Sequence, residues 1–157
     1  SQVFKEVDEL IPQNIPLTSF SIIFANYKGA LYNLYNAARV IDTLKEGDKI
    51  LISEGCTHHR QCEDIGSVKI PRLVRKFTGL QDEDALKFEL TSGEFPKDLS
   101  EYKIIIHCGA CMLNENQMKA RMKYANDATI PMTNYGISIA YMNGILERAM
   151  KPLEGKF

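Results

Sequence analysis

Hydrophobic and polar positions change period several times along the chain, and each change predicts an element. From Thr18 the pattern is helical: Phe20, Ile23, Phe24 and Tyr27 recur at the spacing of one helix face, with Thr18 or Ser19 as N-cap and Gly29 as stop. A second helix follows with Leu31, Leu34, Tyr35, Ala38, Ile41 and Leu44 on its face and Gly47 where a left-handed cap belongs. Asp48 to Ser53 is a short apolar run typical of a buried strand, ending at Glu54-Gly55-Cys56. Ile70-Pro71 opens a helix whose face is Ile70, Leu73, Val74 and Phe77, with Gly79 behind it. Ala85 to Leu90 alternates as a strand closed by Thr91-Ser92-Gly93, and Tyr102 to His107 is a third strand ending at Cys108. Asn114 and Gln117 form a capping-box pair ahead of a helix with Met118, Met122 and Ala125 facing inward. Ile130 to Thr133 is a weaker fourth strand containing Pro131, and a helix from about Gly136 to Met150 turns Ile137, Tyr141, Gly144, Ile145 and Ala149 inward.

Strands alternating with helices at this spacing predict an α/β fold: a roughly four-stranded parallel sheet, Rossmann-like, with helices on both faces. Residues 1–17, punctuated by Pro12 and Pro16, read as a lead-in, and 18–157 as the domain. In such sheets ligands gather beyond the carboxyl ends of the strands. Three of those ends carry reactive residue types: Glu54-Gly55-Cys56, His107-Cys108 and Thr133-Asn134-Tyr135.

Composition narrows the field of functions. At 157 residues, 45% hydrophobic and 25% charged, the chain has the material for one ordinary core. A net charge of -1, with no basic stretch interleaved with aromatics, argues against nucleic acid. No apolar run reaches the roughly 18 to 20 residues of a membrane span, and no signal-peptide pattern opens the sequence, so the expected location is cytoplasmic.

The four cysteines and three histidines are unevenly distributed. Cys56-Thr57-His58-His59 with Cys62 forms one cluster, and His107-Cys108-Gly109-Ala110-Cys111 the other. A Cys-x-x-Cys loop with a small residue inside turns both thiolates toward one centre, and a third sulfur from a neighbouring loop closes the set. Soft thiolates suit zinc or iron-sulfur. Cys62 is read as a small apolar side chain and His59 as a loop residue. Two other readings compete. One is a structural zinc module built from Cys56, His58, Cys108 and Cys111. The other is a thioredoxin-like thiol oxidoreductase using Cys108 and Cys111 at a helix start, with Pro131 as the facing proline.

Cys56-x-His58, 48 intervening residues and then His107-Cys108-x-x-Cys111 resembles the cluster-binding signature of the HydF family of [FeFe]-hydrogenase maturation GTPases. The resemblance extends to Pro16-Leu17-Thr18-Ser19-Phe20-Ser21, to Asp64-Ile65-Gly66 with Val68-Lys69-Ile70-Pro71-Arg72, to His107–Asn114, and to Thr133-Asn134-Tyr135-Gly136 leading to Gly144-Ile145-Leu146. It implies a [4Fe-4S] cluster on Cys56, Cys108 and Cys111 with a weakly held fourth position. It further implies a scaffold that carries a transient diiron CO/cyanide precursor to apo-[FeFe]-hydrogenase, alongside radical-SAM maturases, in a protein that is a homodimer at full length. No G-x-x-x-x-G-K-[ST] motif occurs, so the chain is expected to be a non-enzymatic C-terminal fragment without GTPase activity, and 1–17 the tail of a dimerisation domain.

Three sulfurs leave one iron of a cubane to another ligand. Glu54, two residues before Cys56 on an extended backbone, shares its side of the strand and is the favoured labile ligand, with His58, His107 or an exogenous group as alternatives. Histidines that do not ligate would donate hydrogen bonds around the cluster. An anionic precursor calls for cations and neutral donors, for which Arg60, Lys69, Arg72, Asn134 and Tyr135 are the candidates. The methionines between Met112 and Met150 are expected to fill core.

Overall fold

A computed structural model describes residues 2–55 and 64–155. Cys56, His58, His59, Arg60 and Cys62 therefore lie outside the described residues. Strands β1 (Lys49–Glu54), β2 (Lys87–Ser92), β3 (Ile104–His107) and β4 (Met132–Asn134) form one all-parallel sheet in the order β2-β1-β3-β4. The helices are α1 (Gln2–Leu10), α2 (Phe20–Tyr27), α3 (Leu31–Ala38), α4 (Ile70–Thr78), α5 (Glu115–Asp127), α6 (Tyr135–Met142) and α7 (Leu146–Met150). The α/β class and the four parallel strands match the sequence reading. Among the described residues no helix is long and apolar enough to cross a membrane.

Strand periodicity sorts the sheet into two cores. Ile50, Ile52, Ile104 and Ile106 point to one face, where they meet Ile41, Leu44, Ile70 and Val74. Leu51, Ile105 and Met132 point to the other, against Ile22, Leu31, Leu34, Met118, Met122, Ala125 and Ile137. Burying each such aliphatic side chain is worth roughly 1.5–3 kcal/mol, so the sheet is held from both sides. Thr133 Oγ1 donates to Leu34 O at 2.9 Å and fixes β4 to α3 within the second core.

Element boundaries differ from the sequence reading for local reasons. The second strand begins two residues later than its pattern, because Ala85 O is turned toward Gly47 N, 2.8 Å away. Pro131 delays β4 to Met132, and its carbonyl accepts from Ile105 N at 2.9 Å. The second helix becomes a 3-10 turn at Arg39–Thr43 that still buries Ile41 and Leu44, so Gly47 (φ 90) belongs to the turn before β1 rather than to a helix cap. The last helix is interrupted. Gly144 (φ 74) ends α6 with the paired bonds of a left-handed C-terminal cap, Gly144 N to Tyr141 O at 2.9 Å and Ile145 N to Ala140 O at 3.0 Å, and is exposed instead of facing the core.

The predicted inner face of α2 is corrected by the structure. Phe20 and Tyr27 are each 78% exposed and Ile23 and Phe24 are also exposed, while Ile22 and Ala25 are buried. Nearly every position of this helix is apolar, so the period fits more than one face, and small Ala25 permits the closer approach. Met112 is likewise exposed, although Met118, Met122, Met132 and Met150 fill core as expected. The lead-in is anchored: Arg148 on α7 donates to Asp8 Oδ1 at 2.7 Å and to the carbonyls of Asp8, Ile11, Pro12 and Ile15.

Gly136 is required by the approach of α2 to α6, because a Cβ there would overlap both Cβ and Oγ of Ser21, and rotation of Ser21 relieves only the second. Gly136→Ala should be destabilising: overpacking costs roughly 1–3 kcal/mol and exceeds the up to ~1 kcal/mol gained in helix propensity. Urea unfolding measures this, and an unchanged midpoint would contradict the α2–α6 contact.

Candidate metal centre

The order β2-β1-β3-β4 places a topological switch between β1 and β3. The connection after β1 returns through α4 on the face of Ile50 and Ile52, whereas β3 continues into α5 on the face of Leu51 and Ile105. The two connections part, and a crevice opens at the carboxyl ends of the two strands. Cys108 is fixed there at both ends of its structure. Its backbone N donates to Ser53 O at 2.7 Å, and its sulfur accepts from Gly55 N at 3.2 Å. The thiol that follows the third strand therefore rests on the residue that follows the first, next to position 56 in the chain.

The Cys108–Cys111 loop leaves Cys108 half-buried and Cys111 exposed. Ala110 sits in the left-handed region (φ 53) and is itself buried, and its carbonyl turns inward to accept from Leu113 N at 3.1 Å and from Lys28 Nζ. Gly109 faces open space, while a Cβ at Gly55 would lie only 2.7 Å from Leu113 Cδ1. Helix α5 begins at Glu115, capped by reciprocal 2.9 Å bonds between Asn114 and Gln117. Neither cysteine lies in its first turn, so the thioredoxin-like layout of a thiol at a helix N-terminus is not formed.

Glu54 and Tyr135 meet beside the crevice, with Tyr135 OH donating to Glu54 Oε1 at 3.3 Å. Burial, followed by the charges of Glu54, Cys108 and Asp64, holds the Tyr135 phenol far above its ordinary value, so it remains a neutral donor. Gly66 makes room for the pair: a Cβ there would overlap Tyr135 OH and approach Glu54 Oε1 to 3.0 Å. The other described candidates are engaged in different ways. Asn134 is 3% exposed and its Oδ1 caps α6 by accepting from Ile137 N at 2.8 Å, so that oxygen serves the fold. Lys69 and Arg72 line a groove shared with Lys5, Glu6 and Glu9 of α1, and among the described residues no strand-end residue lines it. His58 and Arg60 lie outside the described residues.

His107 is fully buried, and both ring nitrogens are engaged. Nδ1 lies 2.8 Å from Cys108 O and Nε2 lies 3.1 Å from a guanidinium nitrogen of Arg121. A proton on Nδ1 and a lone pair on Nε2 satisfy both contacts. Burial first, then the charges of Arg121 and Lys28, push its pKa down to about 4 against the opposing Cys108 carbonyl, so the ring is neutral near pH 7. As arranged, His107 is an internal brace of the cysteine loop rather than a ligand.

Two residues that organise this site were absent from the sequence reading. Arg121 reaches from α5 to the ends of three strands, donating to Gly93 O after β2, to Ser53 Oγ on β1 at 3.4 Å and to His107 on β3, and it stacks over Phe95 with 5.0 Å to the centroid. A cleft of about 490 Å³ lined by Gly55, Gly93, Phe95, Leu113 and Arg121 opens beside it. Its signal was present: Met118, Arg121, Met122 and Ala125 share one helical stripe, and a cation inside an apolar stripe needs partners. Lys28, at the end of α2, is the second.

The donor set has the chemistry for a thiolate-bound metal, with two thiols on one loop and a backbone N–H directed at one sulfur. Among the described residues no three His, Cys, Asp or Glu side chains gather around a point, and Cys56 lies outside them. The fold and this thiol loop define a parallel α/β domain with a candidate metal centre at its strand ends. Residues 32–152 match the model of the hydrogen maturase F tetramerization domain, and residues 1–29 that of the hydrogen maturase F dimerization domain. With more than half its length matched, the chain belongs to the hydrogen maturase F family, which gives it a role in hydrogenase maturation and makes self-association part of its biology. No curated protein matches the chain.

Arg121→Met keeps the stem and removes the donors, leaving the half-buried Gly93 carbonyl and the buried His107 ring nitrogen unmet. A loss of roughly 1–3 kcal/mol in urea unfolding is expected, with Arg121→Lys in between. Wild-type stability in Arg121→Met would contradict the bracing role.

Proposed function

We propose that this chain is a cluster-binding scaffold in hydrogenase maturation. Cys56, Cys108 and Cys111 would hold a resident [4Fe-4S] cluster, and the cargo would be a diiron CO/cyanide precursor delivered to apo-[FeFe]-hydrogenase after assembly by radical-SAM maturases. The observation that supports this most directly is the 3.2 Å approach of Gly55 N to Cys108 Sγ at the switch point. It brings the loop of one thiol pair to the residue preceding Cys56. The cluster, when bound, supplies an iron site at which cargo can attach.

The chain's own groups give that site its character. Gly55 N–H donates to the Cys108 sulfur and draws charge from the thiolate. The neutral Tyr135 phenol donates to the Glu54 carboxylate at 3.3 Å, and that hard carboxylate, next to the Gly55 that meets the Cys108 sulfur, is the candidate for a labile fourth ligand. In this reading the domain acts in the cytoplasm as a non-enzymatic carrier, with the GTPase activity of the family belonging to a different region of the full-length protein.

Anaerobic reconstitution with iron and sulfide tests the reading. About four irons per chain, a brown protein and loss of the cluster in Cys108→Ala are expected. A colourless protein retaining one tightly held zinc would contradict it in favour of a structural zinc module.

A further inference from the structure

Lys28 ends α2 with its side chain turned into the protein and is 6% exposed. Its ammonium donates to Ala110 O, the carbonyl between Cys108 and Cys111, and lies 5.7 Å from the centre of the Phe24 ring. Among the described residues it forms no ion pair with a carboxylate. Lysines at helix ends ordinarily extend their charge into water, where the helix dipole favours it at no desolvation cost. A buried ammonium facing one carbonyl and one ring is costly unless negative charge is supplied nearby. The loop it touches is where negative charge would collect, because cysteines bind metal as thiolates.

We propose that Lys28 is the built-in counter-charge and positioning residue of the cysteine loop. From the inner side it fixes the carbonyl of Ala110, the left-handed residue between Cys108 and Cys111, and so holds the turn that carries both thiols. Its charge offsets that of an anionic, thiolate-ligated metal group. This rests on the cluster reading above and adds a residue from α2 to a site otherwise built from strand ends. Lys28 touches neither cluster nor cargo; it acts through the loop.

The test uses the full chain, reconstituted anaerobically, with Lys28→Gln, Lys28→Met and Lys28→Arg, each checked for fold by circular dichroism. Glutamine keeps a donor for Ala110 O and removes the charge, so it carries the comparison if methionine prevents folding. The midpoint potential by EPR-monitored titration and the rate of iron release to a chelator are read. Removing a nearby positive charge disfavours the reduced, more negative cluster, so Lys28→Gln should shift the midpoint to more negative potential and release iron severalfold faster. Lys28→Arg should restore both. A loaded wild type and a loaded Lys28→Gln with equal potentials and equal release rates would overturn this inference while leaving the cluster reading intact. A wild type that takes up no iron would overturn the cluster reading itself.

Discussion

Parallel pairing of β1 with β3 is the constraint on which the rest of the molecule depends. It aligns Ser53 with His107 and so delivers both chain exits to the same edge of the sheet, while α4 and α5 carry the following segments to opposite faces. The crevice is a consequence of that divergence and requires no special sequence of its own. What the sequence adds is chemistry at the lip: a thiol accepting from the neighbouring strand's backbone, and a carboxylate one residue away on the other exit.

Holding polar groups at that lip is expensive, and the structure meets the cost through connected partners. Ser53, His107, Thr133 and Asn134 are all buried, and each has a partner: Arg121 for the first two, the α3 backbone for Thr133 and the start of α6 for Asn134. Two cations enter from the same face of the sheet, Arg121 from α5 and Lys28 from α2, and both act on the environment of His107. The cysteine loop is consequently fixed from behind by helices while its sulfur-bearing side faces the crevice and solvent. The carrier role proposed above calls for that combination of a rigid rear and an accessible front.

The fold was largely legible because its signals are local. Apolar runs, the Asn114–Gln117 capping box and the glycines at 29 and 79 predict elements independently of their neighbours, and alternation of strand and helix then leaves few topologies. The strand ends and the Cys108–Cys111 loop followed from the same reading. The face of α2 was not legible, since a helix reading Phe-Ser-Ile-Ile-Phe-Ala-Asn-Tyr has apolar residues all round and only packing decides which are covered. The break at Gly144 was hidden because apolar periodicity resumes on both sides of it. Lys28 and Arg121 were missed for a different reason: surface cations are so common that only tertiary contact distinguishes one held in the interior. The groove that Lys69 and Arg72 share with α1 and the helix-capping role of the Asn134 oxygen were likewise not legible, since both are tertiary placements.

The central claim is that the thiols at the β1–β3 switch hold one iron-sulfur cluster. Anomalous diffraction at the iron edge, from crystals of the anaerobically reconstituted chain, addresses it most directly. The account predicts iron density in contact with the sulfurs of Cys108 and Cys111 at the carboxyl ends of β1 and β3, approached by a third sulfur from Cys56. Iron bound away from that edge, or a single peak at the zinc edge in its place, would contradict it.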